Sequence, residues 1–317
     1  MTPGARPLRW VPQAIGWLLT AVALVGPIRA DEPAATAPGW HAEQHAASSR
    51  GIAVPLTVTY PGAPPGPMPL VAMAHGHGAD RDEAGAFAML AERLAVAGIA
   101  SVRLDFPGCG ESSEPFTANT LEHMEADLQA AIGFTRARWA VDPARVGLLG
   151  YSMGARVAMM VSAEPDAYRA IALWAPVGSN GADSMLGFVG GVEAWARLEA
   201  AARKAGQVSF TTRWGQQQAL GLAWFEQLAA SRPLDAIAQF RGALLVVHGS
   251  EDDVIAPAVG AAVVAAAANS RSVEHRVIAG ADHGLGFYDD GARVAADVLE
   301  ATAIFFEQTL ARDVVAR

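Results

Sequence analysis

The pentapeptide Gly150-Tyr151-Ser152-Met153-Gly154 restricts this chain more than any other feature. It matches G-x-S-x-G, and its flanks suit the pattern. The run Arg145–Leu149 before it reads as a strand, and Ser152–Ala163 after it reads as a helix. A serine on a sharp strand-to-helix corner presents its hydroxyl clear of its own backbone. Glycines on either side let the chain turn tightly. The first amides of the helix point at the same corner with no partners of their own. Ser152 is therefore the candidate nucleophile, and the Met153 amide a candidate oxyanion donor.

Such a corner belongs on a parallel sheet. The segments Ile52–Tyr60, Leu70–Ala74, Ile99–Leu104, Ala170–Trp174, Ala243–Val247 and Ser272–Ile278 read as further strands. Residues 82–97, Leu121–Trp139 and Val294–Leu310 repeat apolar positions at helical spacing. This alternation predicts an α/β fold: a mostly parallel central sheet flanked by helices. Between residues 177 and 235 the alternation stops, and Val192–Lys204 and Gln216–Ala230 read as helices. That segment is expected to be a helical cap inserted between strands, over their carboxyl ends where ligands bind. A helical extension packed on the side of the sheet is the alternative. Its Trp195, Phe210, Trp214, Trp224 and Phe225 suit either the wall of an aryl or acyl pocket or plain packing. The sheet domain is thereby divided into residues 51–176 and 236–317. Residues 31–50, rich in Ala, Pro, Ser and His, read as a linker or loose arm.

The first thirty residues stand apart. Arg6 and Arg9 precede an apolar stretch, Ala14–Ile28, and Ala30 precedes the polar Asp31-Glu32. This order describes a secretory signal peptide cut after Ala30. The rival is an uncleaved membrane anchor, but the run is shorter than the roughly 20 apolar residues that span a bilayer. The expected location is secreted or periplasmic, with no stable membrane span after cleavage. A hydrophobic fraction of 52% suits a sizeable core. A net charge of −9 with no run of Lys and Arg argues against a nucleic-acid partner. The single cysteine, Cys109, excludes an intrachain disulfide. It lies in a glycine-rich loop without a helix start, so it reads as a small packing residue and not a nucleophile.

A serine hydroxyl attacks poorly without a base. In the order that G-x-S-x-G enzymes of this layout follow, the acid comes next along the chain and the base last. His283, in Gly280-Ala281-Asp282-His283-Gly284, lies between the last strand and the last helix and is the candidate base. The strand end at Gly249 is followed by Glu251, Asp252 and Asp253, any one of which could orient the imidazole. His248, beside them, reads as structural. His75-Gly76-His77-Gly78 ends the strand expected beside the nucleophile strand, and the His77 amide is assigned as the second oxyanion donor. Two histidines two residues apart also invite a metal reading, but no further ligands stand at metal-like spacing, and none is assigned.

His75-Gly76, Asp105-Phe106-Pro107-Gly108-Cys109-Gly110-Glu111-Ser112, Gly150–Gly154, Gly249-Ser250-Glu251-Asp252 and Asp282-His283 occur in this order. Together they resemble the α/β-hydrolase superfamily, in its cinnamoyl-esterase, serine-aminopeptidase and dienelactone-hydrolase-like branches. The likeness runs from about Ile52 to the end and is weakest in the inserted segment. It favours Asp252 as the acid, by its position after Gly249. It implies hydrolysis of small-molecule carboxylic esters without a cofactor, with peptide or amide hydrolysis as the alternative on the same triad. A non-catalytic binder of the same fold is the remaining option, although such proteins typically lose a triad member.

Overall fold

The structure is a computed structural model, and it describes residues 39–289 and 291–311. The expected signal peptide lies outside the described residues. In chain order the strands and helices are β1 (Trp40–Ser49), β2 (Ile52–Pro61), β3 (Met68–Ala74), α1 (Ala86–Val96), β4 (Ala100–Leu104), α2 (Leu121–Arg138), β5 (Val141–Tyr151) and α3 (Met153–Val161). There follow β6 (Ala170–Trp174), α4 (Leu186–Val189), α5 (Val192–Ala205), β7 (Gln207–Thr211), β8 (Gln217–Gly221), α6 (Leu222–Ala230) and α7 (Pro233–Ile237). The chain closes with β9 (Ala243–Gly249), α8 (Pro257–Ala266), β10 (Ser272–Ile278) and α9 (Ala292–Thr309).

Eight strands form one sheet in the order β1-β2-β4-β3-β5-β6-β9-β10. The pairs from β4 to β10 are parallel, while β1 and β2 join antiparallel. Strands β3 and β6 are apolar throughout, β9 is apolar up to His248, and all three are wholly buried, as strands covered on both faces must be. One face packs against α2, α3 and α8 through Leu128, Val157 and Val263. The other packs against α1 and α9 through Leu90 and Phe306. The expected mostly parallel sheet between helices is the fold observed.

Two expectations are corrected. Residues 40–49, expected in a linker or arm spanning 31–50, form β1 and pair along their length with β2. Arg50 and Gly51 make the hairpin with φ of 51° and 83°, the left-handed pair that a tight two-residue turn requires. Arg50 then reaches back to Asp127 on α2 at 2.7 Å and to Glu114 at 2.8 Å, which fastens the hairpin to the sheet domain. The polar composition reflects an edge strand with solvent on its outer face, not a loose tail.

The inserted segment is also not purely helical. The helix expected over Gln216–Ala230 begins only at Leu222, and Gln217–Gly221 pairs antiparallel with β7 as a two-stranded sheet. Gln218 and Leu220 are buried at spacing two, a strand pattern hidden inside a residue set that also suits a helix. Among the described residues, no helix is long and apolar enough to cross a membrane.

Candidate active site

Strand β5 delivers Ser152 to the carboxyl end of the sheet, between β3 and β6. Ser152 holds φ 53° and ψ −110°, an unfavourable conformation for a residue with a side chain. The neighbours enforce it. Its amide donates to Trp174 O at 2.8 Å, and its carbonyl accepts from the Val177 amide at 3.1 Å. A Cβ on Gly154 would come within 1.9 Å of Ala74 O, so only glycine lets α3 start this close to β3. The motif's last glycine is thus a packing requirement of the corner.

Three distant side chains meet there. His283 Nε2 lies 3.1 Å from Ser152 Oγ, and His283 Nδ1 lies 2.7 Å from Asp252 Oδ2. The carboxylate accepts a hydrogen bond from Nδ1–H, which leaves Nε2 as the acceptor facing the serine hydroxyl. Of the three acids considered, Asp252 alone touches the imidazole. Asp253 turns outward and pairs with Arg213 of the inserted segment at 2.6 Å, and Glu251 is exposed.

Asp252 is buried and heavily hydrogen-bonded. Its Oδ1 accepts from the amides of Val254 and Ile255 at 2.9 and 2.8 Å. Its Oδ2 also lies 3.1 Å from His248 Nε2. Burial alone would push its pKa up, but the hydrogen bonds from His248, His283 and the Ile255 amide outweigh this and hold the carboxyl well below its usual range. His248, expected to be structural, sits beneath the acid, with its Nε2 also on Ile255 O at 2.9 Å.

Met153 follows the serine directly, and His77 lies three residues beyond the end of β3, the strand that pairs with β5 up to Ala74 and Gly150. Met153 is the first residue of α3, where a helix amide has no partner within its own helix. His77 follows the end of β3, and its ring reaches into the inserted segment. The ring lies 5.1 Å from Phe116, 5.0 Å from Phe188 and 5.6 Å from Trp224. Its Nε2 bonds Gln218 Oε1 on β8 at 2.9 Å. Gln216 donates to Gly78 O at 3.0 Å and accepts from Gln218 Nε2 at 3.1 Å. That relay turns the Gln218 oxygen toward His77, so His77 Nε2 carries the proton. Burial pushes the His77 pKa down to about 4, and the ring is neutral at physiological pH.

The glycine-rich loop after β4 supports the same region. Asp105 accepts from the Arg81 amide at 2.8 Å and the Glu111 amide at 2.9 Å, and pairs with the Arg81 guanidinium. His75 donates from Nδ1 to Gly76 O at 2.8 Å and accepts the Phe106 amide on Nε2 at 3.0 Å. Both of its ring nitrogens are therefore engaged by protein groups. Cys109 is buried, and burial pushes its thiol up to about 12, so it is not a ready nucleophile.

Two residues of consequence carry no sequence signature. Arg156 on α3 is fully buried and donates to the carbonyls of Val177, Ser179 and Gly181 at 3.0, 2.8 and 2.8 Å, and to Ser231 Oγ. It gathers the entry and exit of the inserted segment behind the nucleophile helix. Glu83, buried beside Gly76, is the other.

The model of the family described as serine aminopeptidase, S33 matches residues 66–220, just under half of the chain. No curated protein matches the sequence. Among solved structures, the esterase Est1E from Butyrivibrio proteoclasticus with ferulic acid bound is 20% identical, with a TM-score of 0.65 over 84% of this chain and 99% of that one. An esterase domain from a Rhodothermus marinus protein is 18% identical, with a TM-score of 0.61 over 86% and 99%. A putative dienelactone hydrolase from Klebsiella pneumoniae is 17% identical, with a TM-score of 0.58 over 85% and 99%. By sheet order, matched segment and structural neighbours alike, the chain is an α/β-hydrolase by fold, resembling the branch of serine aminopeptidases, esterases and dienelactone hydrolases.

Proposed function

We propose that the protein is a serine hydrolase that cleaves carboxylic esters through an acyl-enzyme. One observation carries the reading: His283 bridges Ser152 at 3.1 Å and Asp252 at 2.7 Å, with a different ring nitrogen on each. His283 takes the Ser152 proton as Oγ attacks the ester carbonyl carbon. The amides of His77 and Met153 receive the oxyanion. His283 then protonates the leaving alcohol as the C–O bond breaks. Water attacks the acyl-enzyme, giving its proton to His283, and the acid leaves as Ser152 regains its hydrogen. Asp252 keeps the imidazole in the productive tautomer throughout. Loss of one oxyanion donor would raise the barrier by about 3–4 kcal/mol.

The substrate is a small ester with an aryl or acyl group beneath the inserted segment. The aromatic rings around His77 support that choice, as does a structural neighbour solved with ferulic acid bound. The family name of the matched segment offers the amide bond as the alternative. A free α-amino terminus would call for an uncommitted acid. Asp252 is engaged by His283, Asp253 by Arg213, and Glu83 by Gly76 and Tyr288, so none of these three is free to take an amino terminus. We also propose export by an N-terminal signal cut after Ala30. Amino-terminal sequencing of the mature protein checks this, and an intact amino terminus would point to an anchor.

The decisive experiment is Ser152→Ala. The variant should fold and lose turnover of p-nitrophenyl esters and labelling by a fluorophosphonate probe. Wild-type activity in that variant would overturn the assignment. Ester and peptide substrates compared in one assay separate the two bond types.

A further inference from the structure

A buried acid lies behind the triad that none of the acyl-transfer steps uses. Glu83 is fully buried in the turn between β3 and α1. It and Ala84 hold φ of 46° and 53°, two consecutive residues in the left-handed region that side chains disfavour. A strained turn that places a carboxyl out of water runs against stability on both counts.

The contacts indicate what it holds. Glu83 Oε2 accepts the Gly76 amide at 2.6 Å. Gly76 immediately precedes His77, whose amide is the proposed oxyanion donor. Glu83 Oε1 accepts the Tyr288 hydroxyl. Tyr288 belongs to the loop that carries His283 toward α9. Tyr151, the residue before the nucleophile, completes the assembly. Its hydroxyl donates to His283 O at 2.8 Å, and its ring lies 5.4 Å from the imidazole. A Cβ on Gly76 would come within 2.9 Å of the Tyr151 ring, so the oxyanion loop is pressed onto that residue.

We propose that Glu83 is a positioning residue that ties the oxyanion loop to the histidine loop, through the Gly76 amide on one oxygen and the Tyr288 hydroxyl on the other. The proposal rests on the serine-hydrolase reading. Glu83 bonds neither the Ser152 hydroxyl nor the His283 ring, so it acts through the loops. A carboxylate suits the task because it offers two acceptors to two donors on opposite sides. The charged and titratable groups facing it are Asp80 from its own turn, Tyr151 from the end of β5, Tyr288 from the histidine loop and Cys109 from the loop after β4. None of these is a cation. Burial, helped by Asp80, pushes the Glu83 carboxyl up to about 7 against the hydrogen bonds from Tyr288 and Gly76. The ionised form accepts from both partners, whereas the protonated form must turn one oxygen into a donor. The grip on the two loops therefore changes across neutral pH.

The test measures ester kcat and KM, and the rate of fluorophosphonate labelling at Ser152, from mildly acid to mildly alkaline pH. Wild type is compared with Glu83→Ala, Glu83→Gln and Tyr288→Phe. Glu83→Ala should lose about tenfold to a hundredfold in kcat, the scale of a misplaced catalytic group, with KM little changed and labelling slowed in parallel. Glu83→Gln, which can still accept from Gly76 and donate to the Tyr288 oxygen, should keep most of the activity. Its pH profile should lack the ionisation near 7 expected of Glu83 in wild type. Tyr288→Phe should lose about severalfold in kcat, as one of two ties is cut. Glu83→Ala with wild-type kcat and labelling rate would overturn the proposal. So would a Glu83→Gln profile identical to wild type, which also decides the matter if the alanine variant fails to fold. Wild type that resists labelling would instead sink the serine-hydrolase reading, so the two failures are distinguishable.

Discussion

Asp252 and Asp253 are neighbours in the chain with opposite surroundings. Asp252 is buried under two histidines and two amides, while Asp253 is exposed on Arg213. In a serine triad, replacing the orienting carboxylate by an amide leaves the imidazole in the wrong tautomer and costs about 10⁴ in kcat. Asp252→Asn should show a loss of that order, and Asp253→Asn should stay within about threefold, since an exposed ion pair contributes little. Steady-state kinetics on one p-nitrophenyl ester decides between them, and the reverse ranking would overturn the geometry. Glu83 carries a separate prediction on stability. Its folded pKa of about 7 stands above the ordinary carboxyl value of 4.5, so the folded state holds the proton over that window. The stabilisation is full below the unfolded value and is lost as pH rises through 7. The loss is roughly 3 kcal/mol for a shift of this size. Urea unfolding of wild type should weaken across that interval, and Glu83→Gln should flatten the dependence.

At the scale of elements, the sheet and its flanking helices were legible because buried parallel strands are apolar runs and the helices between them carry an apolar stripe. Strand β1 was not, because an edge strand with solvent on one side resembles a polar tail, and only the Arg50-Gly51 turn and the β2 partner reveal it. The hairpin of β7 and β8 was read partly as helix because Gln217–Gly221 lacks β-branched residues. Its strand form comes from pairing with β7 and from Gln218 meeting His77. The nucleophile helix has its own test. Gly154→Ala must push a methyl into Ala74 O and should abolish soluble expression or shift the elbow, with loss of fluorophosphonate labelling either way. Arg156→Met should loosen the base of the inserted segment, because several carbonyls lose their donor in a buried site. Faster limited proteolysis within residues 177–235 would report it, and a wild-type cleavage pattern would count against it.

For the molecule as a whole, the core on both faces of the sheet carries the stability without a covalent staple. Cys109 is the single cysteine and is buried, with Asn119 Nδ2 3.8 Å from its sulfur. A thiol pushed up to about 12 should be inert to a thiol-specific reagent in the folded protein and react stoichiometrically once urea unfolds it. Reaction at the native rate of a free thiol would show that the loop after β4 opens in solution. The sequence by itself determined the fold class, the corner at Ser152 and the histidine at 283, because each is a local pattern: a period, a glycine-flanked serine, a strand end. It left Glu251, Asp252 and Asp253 open until a family likeness favoured one. Only the tertiary structure oriented Asp252 under the imidazole, put Gln218 on His77, and brought Glu83 between two loops more than two hundred residues apart in Gly76 and Tyr288. Those contacts arise where separate strands end side by side in space, and adjacency across a sheet leaves no periodic mark on the chain that forms it.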